Sequence, residues 1–393
     1  MPGEDEEFLL LTPGPVPLAP EVREAMAEPM VSHRSAEFEA VYERARDGLN
    51  KVFERSTLDG TRTSQSGTTL LLNGTATLAM EAAISNVVDQ DEEVVALVNG
   101  KFGRRLARLG EHYARCERIQ VDWGESFDLD AVRAAVSDDT AAVTMVHNET
   151  STGLLNPVEA VGDVAADHGA NFIVDGVTSI GGDAFRIDDW GVDAAIVGSQ
   201  KALAAPPGLS GLYLAGEVAD RVSGDAGPFY AELPAHRRKA AERQTPYTSA
   251  VPLFRGLAVA LERLHEEGLP RRIERHRRYA AAFREGFRAL GLELFATPNG
   301  PSAYSNTVTA VRLPSSIREA PAAFFDAVSD RNVAIAGGQA HLDGELFRVS
   351  NMGAIGPPAI ERGVRAVGEA LAETGLEVRV EDGVAAARKQ LAD

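Results

Sequence analysis

Cysteine is nearly missing. Cys116 is the one thiol in 393 residues, which excludes an intrachain disulfide framework and any cysteine-based metal cluster. Lysine is almost as scarce: Lys51, Lys101, Lys201, Lys239 and Lys389 are the full set, and arginine supplies the rest of the permanent positive charge. That charge is itself in short supply, with 39 Lys plus Arg against 58 Asp plus Glu and a formal net charge of −19. The summed field repels polyanions, so no nucleic-acid partner is expected. No apolar run approaches the roughly 20 residues of a membrane span, so no membrane partner is expected either. The start, Met1-Pro-Gly-Glu-Asp-Glu-Glu, is acidic where a secretory signal would be basic. The expectation is a cytoplasmic protein. An acid-rich, lysine-poor surface further suggests a high-salt, halophilic cytoplasm, where screening relieves self-repulsion. The eight histidines form no His-x-x-x-His pair. Gly-x-Ser-x-Gly, Gly-x-Gly-x-x-Gly and Walker patterns are also missing. Metal, serine-hydrolase, dinucleotide and nucleoside-triphosphate chemistry therefore lack their marks.

What is present is an ordinary globular composition, 44% hydrophobic, with no repeat or low-complexity block. The length suits two cooperating domains. From about 69 to 214, short apolar runs alternate with amphipathic stretches, which is how a βαβ series and a mostly parallel sheet read. Strands are expected at 69–72, 94–98, 118–121, 142–146, 172–174, 194–197 and 212–214. Helices lying on the sheet are expected at 77–88 and 158–168. Two long helices, 251–267 and 271–290, are separated by the stop signal Gly268-Leu-Pro270. Beyond them come a strand at 306–312, a helix at 320–328, a strand at 346–349 and a helix at 358–373. The stretch from Leu11 to Pro20, LTPGPVPLAP, is too rich in proline for helix or central strand. The chain thus divides into an extended N-terminal arm over 1–20, a large α/β domain over 21–268 and a smaller C-terminal α+β domain over 269–393.

Two strand ends carry the chemistry. Residues 171–179 read NFIVDGVTS and 193–201 read DAAIVGSQK, so Asp175 and Lys201 both sit at carboxyl ends of strands. Ligands of open α/β sheets bind at that edge. A lysine and a buried carboxylate in one crevice suit pyridoxal chemistry: the amine forms a Schiff base, and the carboxylate keeps a pyridine nitrogen protonated. The alternative is a turn-starting aspartate and a surface lysine. Leu70 to Thr77, LLLNGTAT, is a strand, a tight turn and a helix start, which forms either an anion site or an ordinary cap. Phe102, in the segment Asn99 to Arg105, lies between Gly100 and Gly103, which allow close backbone approach, and offers either a stacking face or a packing residue. Arg348, inside a strand-like run, either grips a carboxylate bidentately or sits on an edge strand in water or a salt bridge. His33 and His147 read as pocket or loop residues.

Taken in order, these segments resemble the class V aminotransferases, especially the alanine–glyoxylate and serine–pyruvate branch. The landmarks are LLTPGP at 10–15, HRS at 33–35, NGTAT at 73–77, NGKFG at 99–103, ETSTG at 149–153, DGV at 175–177, and GSQKAL at 198–203 running into APPG. The resemblance covers nearly the whole chain. It implies a fold-type I enzyme using pyridoxal 5′-phosphate, with Lys201 as the Schiff-base lysine and proton shuttle. Asp175 would meet the pyridine nitrogen, Phe102 and Val177 the two ring faces, and Thr150 the ring hydroxyl. Thr75, Ala76, Thr77 and Gln200 would contact the phosphate, Arg348 the substrate carboxylate, and Gly14 the substrate pocket. It further implies a homodimer in which Tyr247 and Thr248 reach the partner's phosphate. Ala250 stands where a threonine is frequent, and Ala76 where a glycine is.

The reaction implied is ping-pong transfer from a small amino acid (alanine, serine or aspartate) to a small 2-oxo acid (glyoxylate, pyruvate or 2-oxoglutarate). Phosphoserine or aminophosphonate transfer is the nearest alternative. A desulfurase or related lyase would need a cysteine in the C-terminal domain, where Cys116 does not lie. A silent binding protein on the same scaffold would be expected to lack Lys201.

Overall fold

The computed structural model describes residues 7–63, 67–222 and 228–392; residues 1–6, most of the acidic start, lie outside them. Every strand expected between 69 and 214 forms. In chain order these are β1 (Gly67–Leu72), β2 (Glu93–Val98), β3 (Arg115–Gln120), β4 (Thr140–Val146), β5 (Asn171–Asp175), β6 (Ala194–Gly198) and β7 (Ser210–Ala215). Among the described residues they make one sheet in the order β1-β7-β6-β5-β4-β2-β3. The central strands read as near-continuous apolar runs because helices cover both faces, and β6 is buried along its whole length.

The sheet is parallel except at β7, which is antiparallel to both β1 and β6. The connection from β6 to β7 is the loop carrying Lys201 and Pro206-Pro-Gly208, and it contains no crossover helix. Without that crossover the chain returns antiparallel. Because β1 is antiparallel to β7, it runs with the others. The carboxyl ends of β1, β2, β4, β5 and β6 therefore share one edge.

The helices include α1 (Pro20–Met26), α2 (Ala36–Arg55), α3 (Ala76–Val87), α4 (Lys101–Tyr113), α5 (Val158–Asp167), α6 (Val251–Glu267), α7 (Leu269–Ala289), α8 (Pro321–Ser329), α9 (Pro357–Glu373) and α10 (Val380–Ala392); further helices span Leu129–Ala135, Gly216–Arg221, Leu233–Ala241 and Ser315–Arg318. The stop signal at 268 works as expected: Gly268 has φ 82° and Pro270 lies in the first turn of α7. Beyond α7, β8 (Val308–Arg312), β9 (Ala336–Gly337) and β10 (Leu346–Ser350) form an antiparallel sheet with β10 in the middle.

Two main clusters of buried side chains result. One runs from Ala19 to Leu269; the other gathers Leu11 with residues from Tyr279 to Ala387. The arm is extended over most of its described length, but it is not loose. Leu9 and Leu10 pair in parallel with Val333 and Ala334, and Val16 packs against Ala202, Val308 and Met352. No described helix is long and apolar enough to cross a membrane.

Candidate active site

Five strand ends open onto one cavity of about 160 Å³, lined by Thr75, Ala76, Thr77, Phe102, Arg105, Thr150, Asp175, Val177, Thr178, Gln200 and Lys201, with Met80 at its wall. Nine of the residues expected from sequence meet there. Gly14 lies alongside: a Cβ on it would come within 2.7 Å of Lys201 Cε, and its φ of +125° also favours glycine. The Lys201 ammonium donates to the carbonyl of Pro13 and sits 5.8 Å from the centroid of the Phe102 ring.

Burial governs the charges. It pushes Lys201 down to about 8, helped by the Arg348 charge and opposed by Asp175. It lifts Asp175 to about 7 against the Val177 N–H, which donates to Oδ1 at 2.9 Å. An amine with a lowered pKa beside a carboxyl with a raised one is the pairing expected of a functional site.

Arg348 lies on the central strand β10, which removes the edge-strand alternative. It is 4% exposed. Its guanidinium donates to the Gly337 carbonyl at 3.0 and 2.8 Å and to the Thr150 carbonyl at 3.1 Å. Among the described residues no carboxylate pairs with it within 4.0 Å. Burial lowers it to about 10, and the charge of Glu149 is the opposing influence. A buried guanidinium bonded only to neutral carbonyls keeps its charge, and so an attraction for a carboxylate ligand.

Tyr247 and Thr248 do not line the cavity. Tyr247 stacks on Tyr230 with ring centroids 5.2 Å apart, and the Thr248 carbonyl accepts from Asn73 Nδ2 at 3.2 Å. Both therefore sit beside their own chain's turn after β1. His147 is buried away from the cavity lining. Its Nδ1 lies 2.9 Å from Ser179 Oγ and its ring packs on Phe185 and Trp190. His147 stands in the bend that follows β4, as a loop residue, but it is not a pocket residue: burial holds it neutral, at about 3, within a packed aromatic group. His33 sits in the turn before α2 and is not among the cavity-lining residues.

Sequence reasoning missed Arg105 and the role of Glu149. Arg105 follows Phe102 by one helical turn, so reading 101–113 as a helix would have placed both on one face. Glu149 lies within the ETSTG segment, and its carboxylate accepts from the backbone N–H groups of Phe102 and Gly103, each at 3.0 Å. It thereby caps α4 and fixes Phe102.

A phosphate-bearing pyridine would find the cavity suited to it. Thr75 is the N-cap of α3 but makes no side-chain capping bond, which leaves its hydroxyl and the N–H groups of Ala76 and Thr77 for an anion, the Leu78 N–H being bonded to the Thr75 carbonyl. The Oε1 atom of Gln200 is buried without a partner. A half-turn of that amide would present its donors instead.

Comparison with known proteins agrees with this geometry. The aminotransferase class-V family model matches residues 20–343. An uncharacterised aminotransferase of Methanocaldococcus jannaschii is 39% identical, covering 98% of this chain and 97% of its own. An L-aspartate–glyoxylate aminotransferase of Paracoccus denitrificans is 31% identical, with 97% and 95% covered. The crystal structure of pyridoxamine-pyruvate aminotransferase from Mesorhizobium loti superimposes with a TM-score of 0.90 at 27% identity, over 100% of this chain and 99% of that one. The chain belongs to the class V aminotransferase family and is a pyridoxal-phosphate-dependent transaminase of fold type I.

Proposed function

We propose that this transaminase moves an amino group from alanine, serine or aspartate to glyoxylate, pyruvate or 2-oxoglutarate by a ping-pong sequence, with Lys201 as its catalytic lysine. The observation that carries the reading is the meeting of Lys201, Asp175 and Phe102 in one cavity, with Arg348 buried close by and held only by carbonyls. The glyoxylate acceptor named for the Paracoccus relative and the pyruvate acceptor named for the Mesorhizobium protein favour small oxo acids here.

Pyridoxal phosphate, when bound, supplies the electron sink for the substrate Cα–H bond. Everything else is the work of side chains. Lys201 Nζ would be the group that holds the cofactor and the one that moves the proton to and from Cα; its depressed pKa keeps a useful fraction unprotonated near neutral pH. Asp175 holds a proton on the ring nitrogen. Phe102 and Val177 would flank the ring, and Thr150 would meet its hydroxyl. Thr75, Ala76, Thr77 and Gln200 hold the phosphate, Arg348 orients the substrate carboxylate, and the absence of a side chain at Gly14 leaves room beside Lys201.

The same reading takes the molecule as a cytoplasmic homodimer, each chain built of an arm, a large domain to 268 and a small domain from 269. Phe229 is 77% exposed and Tyr230 41% exposed, and both pack on Tyr247. This aromatic patch beside the phosphate turn suits a second copy of the chain, bringing Tyr247 and Thr248 to the partner's cavity.

The test is the visible absorbance of the purified protein on adding single amino acids without an acceptor. The parent protein is expected to be yellow and to be bleached by alanine, serine or aspartate; Lys201→Ala is expected to transfer no amino group. A yellow parent bleached by none of the three, or an alanine variant turning over at the parent rate, would sink the assignment.

A further inference from the structure

The phosphate contacts proposed above, Thr75, Ala76, Thr77 and Gln200, are all uncharged. A phosphate monoester carries about −1.5 to −2 charges near pH 7, whereas a helix N-terminus offers only about half a positive charge. Lys201, engaged with the cofactor, cannot also serve the phosphate. A full positive charge is needed on that side of the cavity, and Arg105 is placed to supply it. It projects from α4 one turn beyond Phe102 and lines the cavity together with Thr75, Ala76 and Thr77. One guanidinium nitrogen lies 3.1 Å from Thr77 Oγ1, and the guanidinium carbon lies 4.9 Å from the Phe102 ring centroid.

Among the described residues no carboxylate comes within 4.0 Å of Arg105, although acidic side chains outnumber basic ones in the chain. Of the five N–H donors on a guanidinium, one is taken up by Thr77. The cation–π contact with Phe102 and the bond to Thr77 already hold the group at the cavity, so little further ordering is needed to present the remaining donors. We infer that Arg105 is the cationic ligand of the cofactor phosphate, binding it jointly with Thr77 at the start of α3.

The inference rests on the cofactor site proposed above, and its test separates the two. Apoprotein of the parent, Arg105→Gln and Arg105→Lys is titrated by absorbance with pyridoxal phosphate and, separately, with pyridoxal, which lacks the phosphate. Circular dichroism checks that the variants fold. Loss of charge-assisted hydrogen bonds is expected to weaken pyridoxal phosphate about ten- to one-hundred-fold in Arg105→Gln, with part of the loss recovered in Arg105→Lys and pyridoxal binding unchanged. Inorganic phosphate should compete with the cofactor more weakly in Arg105→Gln than in the parent. Equal weakening of both ligands would make Arg105 a prop for Phe102, and no weakening of either would make it a bystander; each result overturns the inference. Failure of the parent to take up pyridoxal phosphate would instead overturn the Lys201 reading.

Discussion

Asp175 shows how one residue couples the chemistry of the site to the stability of the fold. Its carboxyl has an ordinary value of 3.8, and in the folded apoprotein burial lifts it to about 7. Between those limits the folded state keeps a proton that the unfolded chain has released. Stability contributed by this group is therefore present at the acid end and lost as pH rises through the window. Lys201 acts in the other direction, but only above its folded value of about 8. The two effects occupy separate ranges. Asp175→Asn removes the titration while keeping the shape, so the melting temperature of the variant apoprotein should gain on the parent as pH is raised from about 4 to about 7. Thermal melts of both across that range check it. Parallel curves would mean that the buried carboxyl is ionised throughout, and that its local hydrogen bonding outweighs burial.

At the scale of elements, strands and helices were legible where the apolar period was strong, and the seven strands of the main sheet lie within three residues of their expected limits at either end. What composition alone did not give was the direction of β7, set by a helix-free return loop, or the helix α4. Its opening, NGKFGRR, holds two glycines and three cations and hides the period. The partner that completes α4 is remote: Glu149 lies 46 and 47 residues from the N–H groups it binds. Its other oxygen accepts from Ser151 N at 3.1 Å and from Ser151 Oγ. Gly100 makes room for it, because a Cβ there would lie 2.2 Å from the carboxylate carbon. No local pattern announces such a pairing. Glu149→Gln turns one acceptor into a donor facing N–H groups, and a buried unsatisfied group costs about 1–3 kcal/mol. Urea denaturation should register a loss of that order, accompanied by weaker cofactor binding as Phe102 loses its anchor. An unchanged midpoint would show that α4 holds its own start without the carboxylate.

Across the whole molecule, the arm ties the two clusters of buried side chains to the site: Leu11 is buried in the second cluster while the carbonyl of Pro13, two residues on, accepts from Lys201. Over the rest of the surface two electrostatic effects of opposite sign compete. Arginine–carboxylate pairs such as Arg44–Glu262 and Arg365–Glu381 are exposed, and exposed pairs contribute about 0–1 kcal/mol each, less as salt rises. Against them stands the unbalanced remainder, a net charge of −19, whose self-repulsion opposes the compact state and is screened by the same salt. The Debye length shrinks from about 10 Å at 0.1 M to about 3 Å at 1 M. Contacts at pairing distance survive that change better than repulsion between charges spread over the surface. The excess of one sign should therefore decide the outcome, and the melting temperature is expected to rise between about 0.1 M and about 1 M potassium chloride, measured on the holoprotein at fixed pH and cofactor concentration. A fall over that range would mean that the ion pairs outweigh the repulsion, and would remove the physical ground for placing this chain in a high-salt cytoplasm.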